Sequence, residues 1–276
     1  MKGRPWALEN LPPFPGVALQ LLQLLSEEDV NIRRVSMLIA ADPVIAADVL
    51  QIANSALFGL RSPVKTIAHA VIVLGVDNVK SVTLTRAFGI YLMPAMKEDA
   101  MRRCWRNSLA GALLAGKLAY QCEIDGGLAY TAGLLRDIGR LALLVKFPGP
   151  YANLLAVSQD NGFDILEAER DLFDIDHCQA GEWLTENMGL PVELCQVAAL
   201  HHQGLEGDKL GLVQLVQVAD MMAEGLGFGV LMSPEPPDFA ALVAGFPERV
   251  RSWLKVDEAA LKAEIEASLR VLSPEH

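Results

Sequence analysis

Residues 132–144 read AGLLRDIGRLALL. Leu134, Ile138, Leu141 and, one step further, Val145 follow the three-and-four spacing of a single helix face. In the middle of this apolar run stand Arg136 and Asp137. Adjacent opposite charges there have three physical readings: a solvated edge, an ion pair, or the remainder of a metal site. If the four apolar residues face a core, a step of about 100° per residue puts Asp137 at the edge of that face. Arg136 then falls nearly opposite, on the side of Arg140, so periodicity alone predicts an outward arginine.

The same period recurs along the whole chain, as in Val17, Leu21, Leu24 and Leu25, and clean alternation bounded by turn residues is hard to find. The sequence predicts an all-α fold. Asp42 followed by Pro43 suits an N-cap and the first helical position, whose missing N–H costs nothing there. Thr66 and Asp77 offer similar starts for the next two helices. Gly75, between IAHAVIVL and VKSVTLTRAF, is placed to end one helix with a positive φ and turn the chain into a helical hairpin. Asn54 and Ser55 close an amphipathic helix and read as local caps, with Phe58 anchoring the turn that follows. A glycine and a proline break the pattern in GIYLMPAMKED (89–99), and prolines break it again in GFGVLMSPEPPD (227–238). These breaks predict an N-terminal helical lobe over 1–95, a second helical lobe over 96–228 and a packing tail over 229–276.

With 276 residues, 52% of them hydrophobic, the chain is large enough for two lobes with real cores. No apolar run approaches the roughly 18 residues of a membrane span, and MKGRPWALENLPPFPG lacks the order of a signal peptide, so the expected location is cytoplasmic. The four cysteines, Cys104, Cys122, Cys178 and Cys195, contain no C-x-x-C pair and read as reduced thiols. A net charge of −11 repels phosphate backbones, and the basic clusters are short, at Arg33-Arg34 and around Arg102, Arg103 and Arg106. Nucleic acid is therefore not the expected partner. Phosphate-binding loops, dinucleotide fingerprints and serine-hydrolase elbows are all missing from the sequence.

LPPFPGVALQLLQLL, LIAADPVIAADVLQIANSALFG and the helix pair around VLGVDNV resemble the start of the HDOD family of bacterial signalling proteins. The resemblance continues in order through WRNSLAGALLAGKLA, AGLLRDIGRLALL, DHCQAGEWLTENMGLP and AALHH, covering most of residues 11 to 220. It implies a helical lobe followed by a bundle related to the HD phosphohydrolases, acting as a regulatory output module. In those hydrolases a His on one helix, an adjacent His-Asp pair on the next and a distant Asp bind metal, with further histidines in two-metal members. Carried over by motif, the first His falls on Asn107 and the paired His on Arg136. The aspartate of the pair remains as Asp137, the additional histidines as His177, His201 and His202, and the distant aspartate as Asp220.

An amide oxygen at Asn107 is a weak donor beside an imidazole. A guanidinium at Arg136 has no lone pair to offer and does not deprotonate, so it brings a fixed positive charge to the place of a cation. His177 also reads as the first residue of a helix capped by Asp176 and Gln179, and His201-His202 as the C-terminal end of an apolar helix. Asp220, in the apolar helix VQVADMMA, needs a partner such as Arg136 or a pocket histidine. Cys178 beside His177 reads as a structural thiol, since neighbouring helical residues diverge by about 100°. The expectation is a non-catalytic signalling module with a degenerate HD pocket, no required cofactor, a signalling protein as partner, and a homodimer as a plausible assembly. The alternatives are a metal-dependent phosphohydrolase holding a divalent transition metal on Asp137, His177, His201, His202 and Asp220, or a pocket in which Arg136 takes an anionic ligand such as a nucleotide.

Overall fold

A computed structural model describes residues 4–24, 31–203, 211–231, 239–244, 248, 251 and 257–273. No strand occurs among them, in agreement with the three-and-four period. The chain forms two compact units, one of residues 13–93 with 262–276, the other of 1–12 with 94–261.

The first unit holds α1 (Gly16–Gln23), α2 (Ile32–Ala40), α3 (Pro43–Ala53), α4 (Ile67–Leu74) and α5 (Val76–Leu92), with most of the final helix, Glu258–Leu272. The Asp42 carboxylate accepts from Val44 and Ile45 amides at the start of α3, and Thr66 Oγ1 accepts from the His69 amide at the start of α4. These satisfy amides that no earlier carbonyl can reach. Asp77 does not cap α5: the helix begins one residue earlier, directly after Gly75, and Asp77 lies in its first turn. Gly75 has φ +87° and ψ 157°, so its positive φ bends the chain between α4 and α5. Across α3 and α5, Arg86 forks onto Asp48 Oδ2 at 3.1 and 2.7 Å. Phe14 stacks on Tyr91 with centroids 4.6 Å apart.

Asn54 is scaffold. Its Nδ2 donates to the carbonyls of Leu50 (2.8 Å) and Val64 (2.9 Å), and its Oδ1 accepts from the Val64 amide (2.8 Å), pinning the end of α3 to the extended segment before α4. Phe58 is half-buried in the turn.

The second unit contains α6 (Asp99–Ala119), α7 (Gly126–Leu135), α8 (Ile138–Lys146), α9 (Pro148–Asn161), α10 (Ile165–Phe173), α11 (His177–Asn187), α12 (Val192–Leu200) and α13 (Leu212–Ala223). Buried α6 is its centre and packs along α7 and α13, while α11 lies between α8 and α12. The stretch 132–144 is not one helix: it breaks at Arg136 and Asp137, and Asp137 (φ −97°, ψ 22°) starts α8. Residues 4–12 cluster with this unit because Trp6 is held there: its Nε1 donates to Asp174 Oδ2 (2.9 Å), its ring meets Phe147 edge-on, and its carbonyl accepts from Lys146 (2.7 Å). After α13 the backbone widens into a π-type turn over Glu224–Phe228 and bends at Gly227, φ +87°. Of the proline-rich break at 227–238, residues 232–238 lie outside the described residues.

Asn54→Ala removes three hydrogen bonds but little apolar area. We expect a loss of about 1–3 kcal/mol in urea denaturation at unchanged m-value, and an unchanged second unit by hydrogen exchange.

Candidate functional site

The residues singled out from the sequence converge within the second unit from five places: Asn107 on α6, Arg136-Asp137 at the α7–α8 break, His177 at the start of α11, His201-His202 at the end of α12, and Asp220 on α13. The periodicity expectation for Arg136 is overturned. Its side chain is fully buried and points inward. A 100° step holds only within a continuous helix, and the break at Arg136-Asp137 redirects both side chains.

The Arg136 guanidinium fills the centre. Nη2 lies 2.5 Å from Asp220 Oδ1 and donates to the amide oxygen of Asn107, and Nη1 donates to the Gly133 carbonyl at 2.8 Å. Nε stands 3.3 Å from Asp137 Oδ2, an ion pair without hydrogen-bond alignment. Asp220, the carboxylate that needed a partner, thus has Arg136, with the Asn107 Nδ2 at 3.3 Å as a further contact.

Arg140, read from the sequence as an outward companion of Arg136, is also buried, at 4% exposure. Its Nε donates to Asp137 Oδ1 (3.0 Å) and its Nη2 to His177 Nε2 (3.0 Å). On its other side, the His177 ring faces Glu169, with Nδ1 2.9 and 2.7 Å from the carboxylate oxygens. Guanidinium protons can only be donated, so Nε2 must accept and the ring proton belongs on Nδ1, directed at Glu169. Glu169 also accepts from the His177 amide (2.7 Å) and from the Tyr151 hydroxyl. His201 Nδ1 faces the carbonyls of Val197 (3.2 Å) and Ala198 (3.1 Å), while its Nε2 is buried 3.5 Å from Asp137 Oδ1. His202 is exposed, its ring 4.5 Å from that of His201.

Burial alone would raise the Asp137 carboxyl, but the charges of Arg140 and Arg136 overcome it and hold the group well below the usual carboxylate range. Burial opposes ionisation of Glu169 as well. The hydrogen bonds from the His177 ring and amide, then the Arg140 charge and the Tyr151 hydroxyl, nevertheless bring it down to about 2. For His177, burial and the Arg140 charge lower the basicity, so the ring is neutral at pH 7. The two arginines therefore face three carboxylates, Asp137, Glu169 and Asp220, leaving one net negative charge among these five groups. Removing one member of a buried ion pair costs about 3–5 kcal/mol, because the other charge is stranded.

Sequence reasoning missed Arg140, Glu169, Tyr151 and the glycines that admit the arginine. The i,i+3 spacing of Asp137 and Arg140 was a visible signal of pairing. Glu169 and Tyr151 carried none, because their partners lie 8 and 18 residues away on the neighbouring helix, a separation that no helical period marks. A Cβ on Gly111 would stand 2.5 Å from Arg136 Nη1, and one on Gly139 would overlap the His177 carbonyl and lie 2.5 Å from the Gly181 nitrogen. Gly111 makes room for the guanidinium; Gly139 lets α8 approach the backbone of α11.

The HDOD domain model matches residues 11–204, and the chain belongs to the HDOD family. An HDOD domain protein of unknown function from Geobacter sulfurreducens is 25% identical with TM-score 0.73, over 96% of this chain and 91% of that one. A Shewanella amazonensis protein provisionally named a phosphohydrolase is 24% identical with TM-score 0.70, over 98% and 96%. An uncharacterized protein of Treponema pallidum is 21% identical over 197 residues, 71% of this chain, and the match spans 38% of that protein's length.

Two measurements check this description. Gly139→Ala should destabilise the second unit more than Gly111→Ala, since backbone cannot yield as a side-chain tip can; thermal unfolding should show Gly111→Ala losing about 1–3 kcal/mol and Gly139→Ala more. Glu169 has a folded-state pKa below its unfolded value near 4.3, so its contribution is full above that value and is lost as pH falls toward 2. Urea midpoints followed from pH 5 to pH 2 should fall, and Glu169→Gln should start lower and fall less steeply.

Proposed function

We propose that this chain is a non-catalytic output or adaptor module, passing a signal to a partner protein through its helical surfaces, with a guanidinium pair standing where HD hydrolases hold a cation. One observation carries this reading: Arg136, fully buried, is bound to Asp220 and Asn107 and beside Asp137, three positions of the carried-over metal site. Metal-assisted hydrolysis needs an ion that acidifies a bound water and holds the phosphoryl group. Here the two acids of that site are already neutralised by fixed positive charge, and an amide replaces one imidazole. The role requires no cofactor. Its partner is a signalling protein or a second copy of the chain, and the overall negative charge disfavours nucleic acid.

The phosphohydrolase reading draws on the convergence of His177, His201 and His202 and on the name given to the Shewanella amazonensis neighbour. It asks a divalent ion to displace a buried guanidinium from two carboxylates. The nucleotide reading meets the same obstacle, since a phosphate would have to displace Asp220 and Asn107 to reach Arg136.

The test is hydrolysis of bis(p-nitrophenyl) phosphate and of cyclic dinucleotides with added manganese, iron or nickel. No metal-dependent rate above the protein-free blank is expected. Turnover that requires the metal and disappears in Asp220→Asn would overturn the proposal.

A further inference from the structure

Charge is divided unevenly along the chain. Residues 31–93 hold six Lys and Arg against three Asp and Glu, whereas all other residues together hold 17 against 31. The three acids are engaged inside the first unit: Asp42 caps α3, Asp48 takes the Arg86 fork, and Asp77 stands 4.0 Å from Lys80. Arg33, Arg34, Arg61 and Lys65 are exposed, so this surface is positive on a chain whose net charge is −11.

Arg33 lines an open groove of about 800 Å³ between α2 and the start of α4, together with Ile32, Met37, Ala40, Ile67 and Ala68. Arg34 borders an adjoining hollow that shares Met37, and Lys65 directly precedes Thr66 at the edge of the groove. Met37 is 63% exposed. Ile72, one turn beyond Ala68 on the same face of α4, is 72% exposed. Apolar area gathered in this way and rimmed by charge marks a contact surface.

The second unit presents the opposite pattern on α10. Glu169 and Phe173 face its core. On the other side the 100° step places Asp164, Glu167, Ala168, Asp171 and Leu172, with Leu172 46% exposed. Phe163, just before the N-cap Asp164, is 56% exposed. The one cation within the helix, Arg170, is bound to Asp176 at 2.6 Å. A helix with apolar side chains between acids suits an apolar groove with a basic rim in both shape and charge.

We propose that the groove between α2 and α4 of one copy of this chain binds the outer face of α10 of a second copy. Leu172 and Phe163 cover the apolar floor, and Glu167 and Asp171 meet Arg33 and Lys65. The contact is heterologous: each copy offers one groove and one helix, so two copies close on each other if both contacts form around a two-fold axis, and otherwise the contact repeats from copy to copy. The attraction is local, whereas the repulsion of the two net charges is screened beyond about 8 Å at physiological salt. This inference names a partner for the helical surfaces of the output-module reading and rests on that reading in this respect.

The experiment is sedimentation velocity of the reduced full-length protein across the micromolar range at physiological salt. The wild type is expected to exceed the 29.9 kDa of one chain, increasingly so with concentration. Arg33→Glu combined with Lys65→Glu, and separately Glu167→Lys combined with Asp171→Lys, should each weaken self-association by about 10-fold or more, because like charges then face each other. Far-ultraviolet circular dichroism should stay as in the wild type. Mixing the two variants should restore assembly, since each groove again meets a helix of opposite charge. A wild type that stays a monomer would overturn the proposal, as would assembly that survives both charge reversals or a mixture that remains apart. A monomeric wild type that binds anionic phospholipid vesicles or nucleic acid would assign the basic surface to that partner and overturn the proposal too. None of these outcomes alters the hydrolysis result, so failure here leaves the non-catalytic reading standing.

Discussion

The buried guanidinium of Arg136 is the constraint on which the second unit depends. It touches α6 through Asn107, α7 through Gly133, the start of α8 through Asp137 and α13 through Asp220. A fully buried cation is tolerable only when its charge is matched and its donors are largely used; these contacts match the charge and engage both terminal nitrogens, and Nε has the Asp137 charge beside it without an aligned hydrogen bond. The result is specificity more than net stability. A wholly apolar centre of the same volume would allow the helices to slide, whereas a planar guanidinium with fixed donor directions admits one arrangement.

Arg140 extends the same logic outward. It shares Asp137 with Arg136 and directs a donor at His177, whose other nitrogen is engaged by Glu169, which in turn holds Tyr151. Each group fixes the protonation of the next, from a guanidinium that cannot lose its proton to a carboxylate held ionised. The chain of contacts explains why an imidazole with an orienting carboxylate, an arrangement suited to a metal, is here turned toward an arginine. A metal-binding architecture and a charge-neutralised core are nearly the same set of residues, and the identity of one side chain at position 136 separates them.

Small residues set the distances. Gly111 leaves space for the guanidinium, Gly133 lets α7 close on the Ala112 backbone, and Gly139 brings α8 against α11. Glycine in a helix costs about 1 kcal/mol relative to alanine, a cost offset here by close packing that no Cβ would permit.

The sequence by itself determined the helical class, the caps at Asp42, Thr66 and Asp176, the positive φ at Gly75 and the order of motifs that places the chain in its family. These are local properties: capping, backbone freedom and apolar period are fixed by residues within a few positions of one another. It also determined which residues meet, because the motif order carried Asn107, Arg136, Asp137, the histidines and Asp220 to one place. Only the tertiary structure decided what that meeting becomes. The direction of Arg136 depends on a helix break that the period of Leu134, Ile138 and Leu141 conceals, and the burial of Arg140 depends on partners 3 and 37 residues away. Glu169 and Tyr151 gave no local signal because a buried carboxylate is recognisable only by the donors around it. The approach of His201 to Asp137 is likewise a property of the space between helices, which no spacing along the chain records.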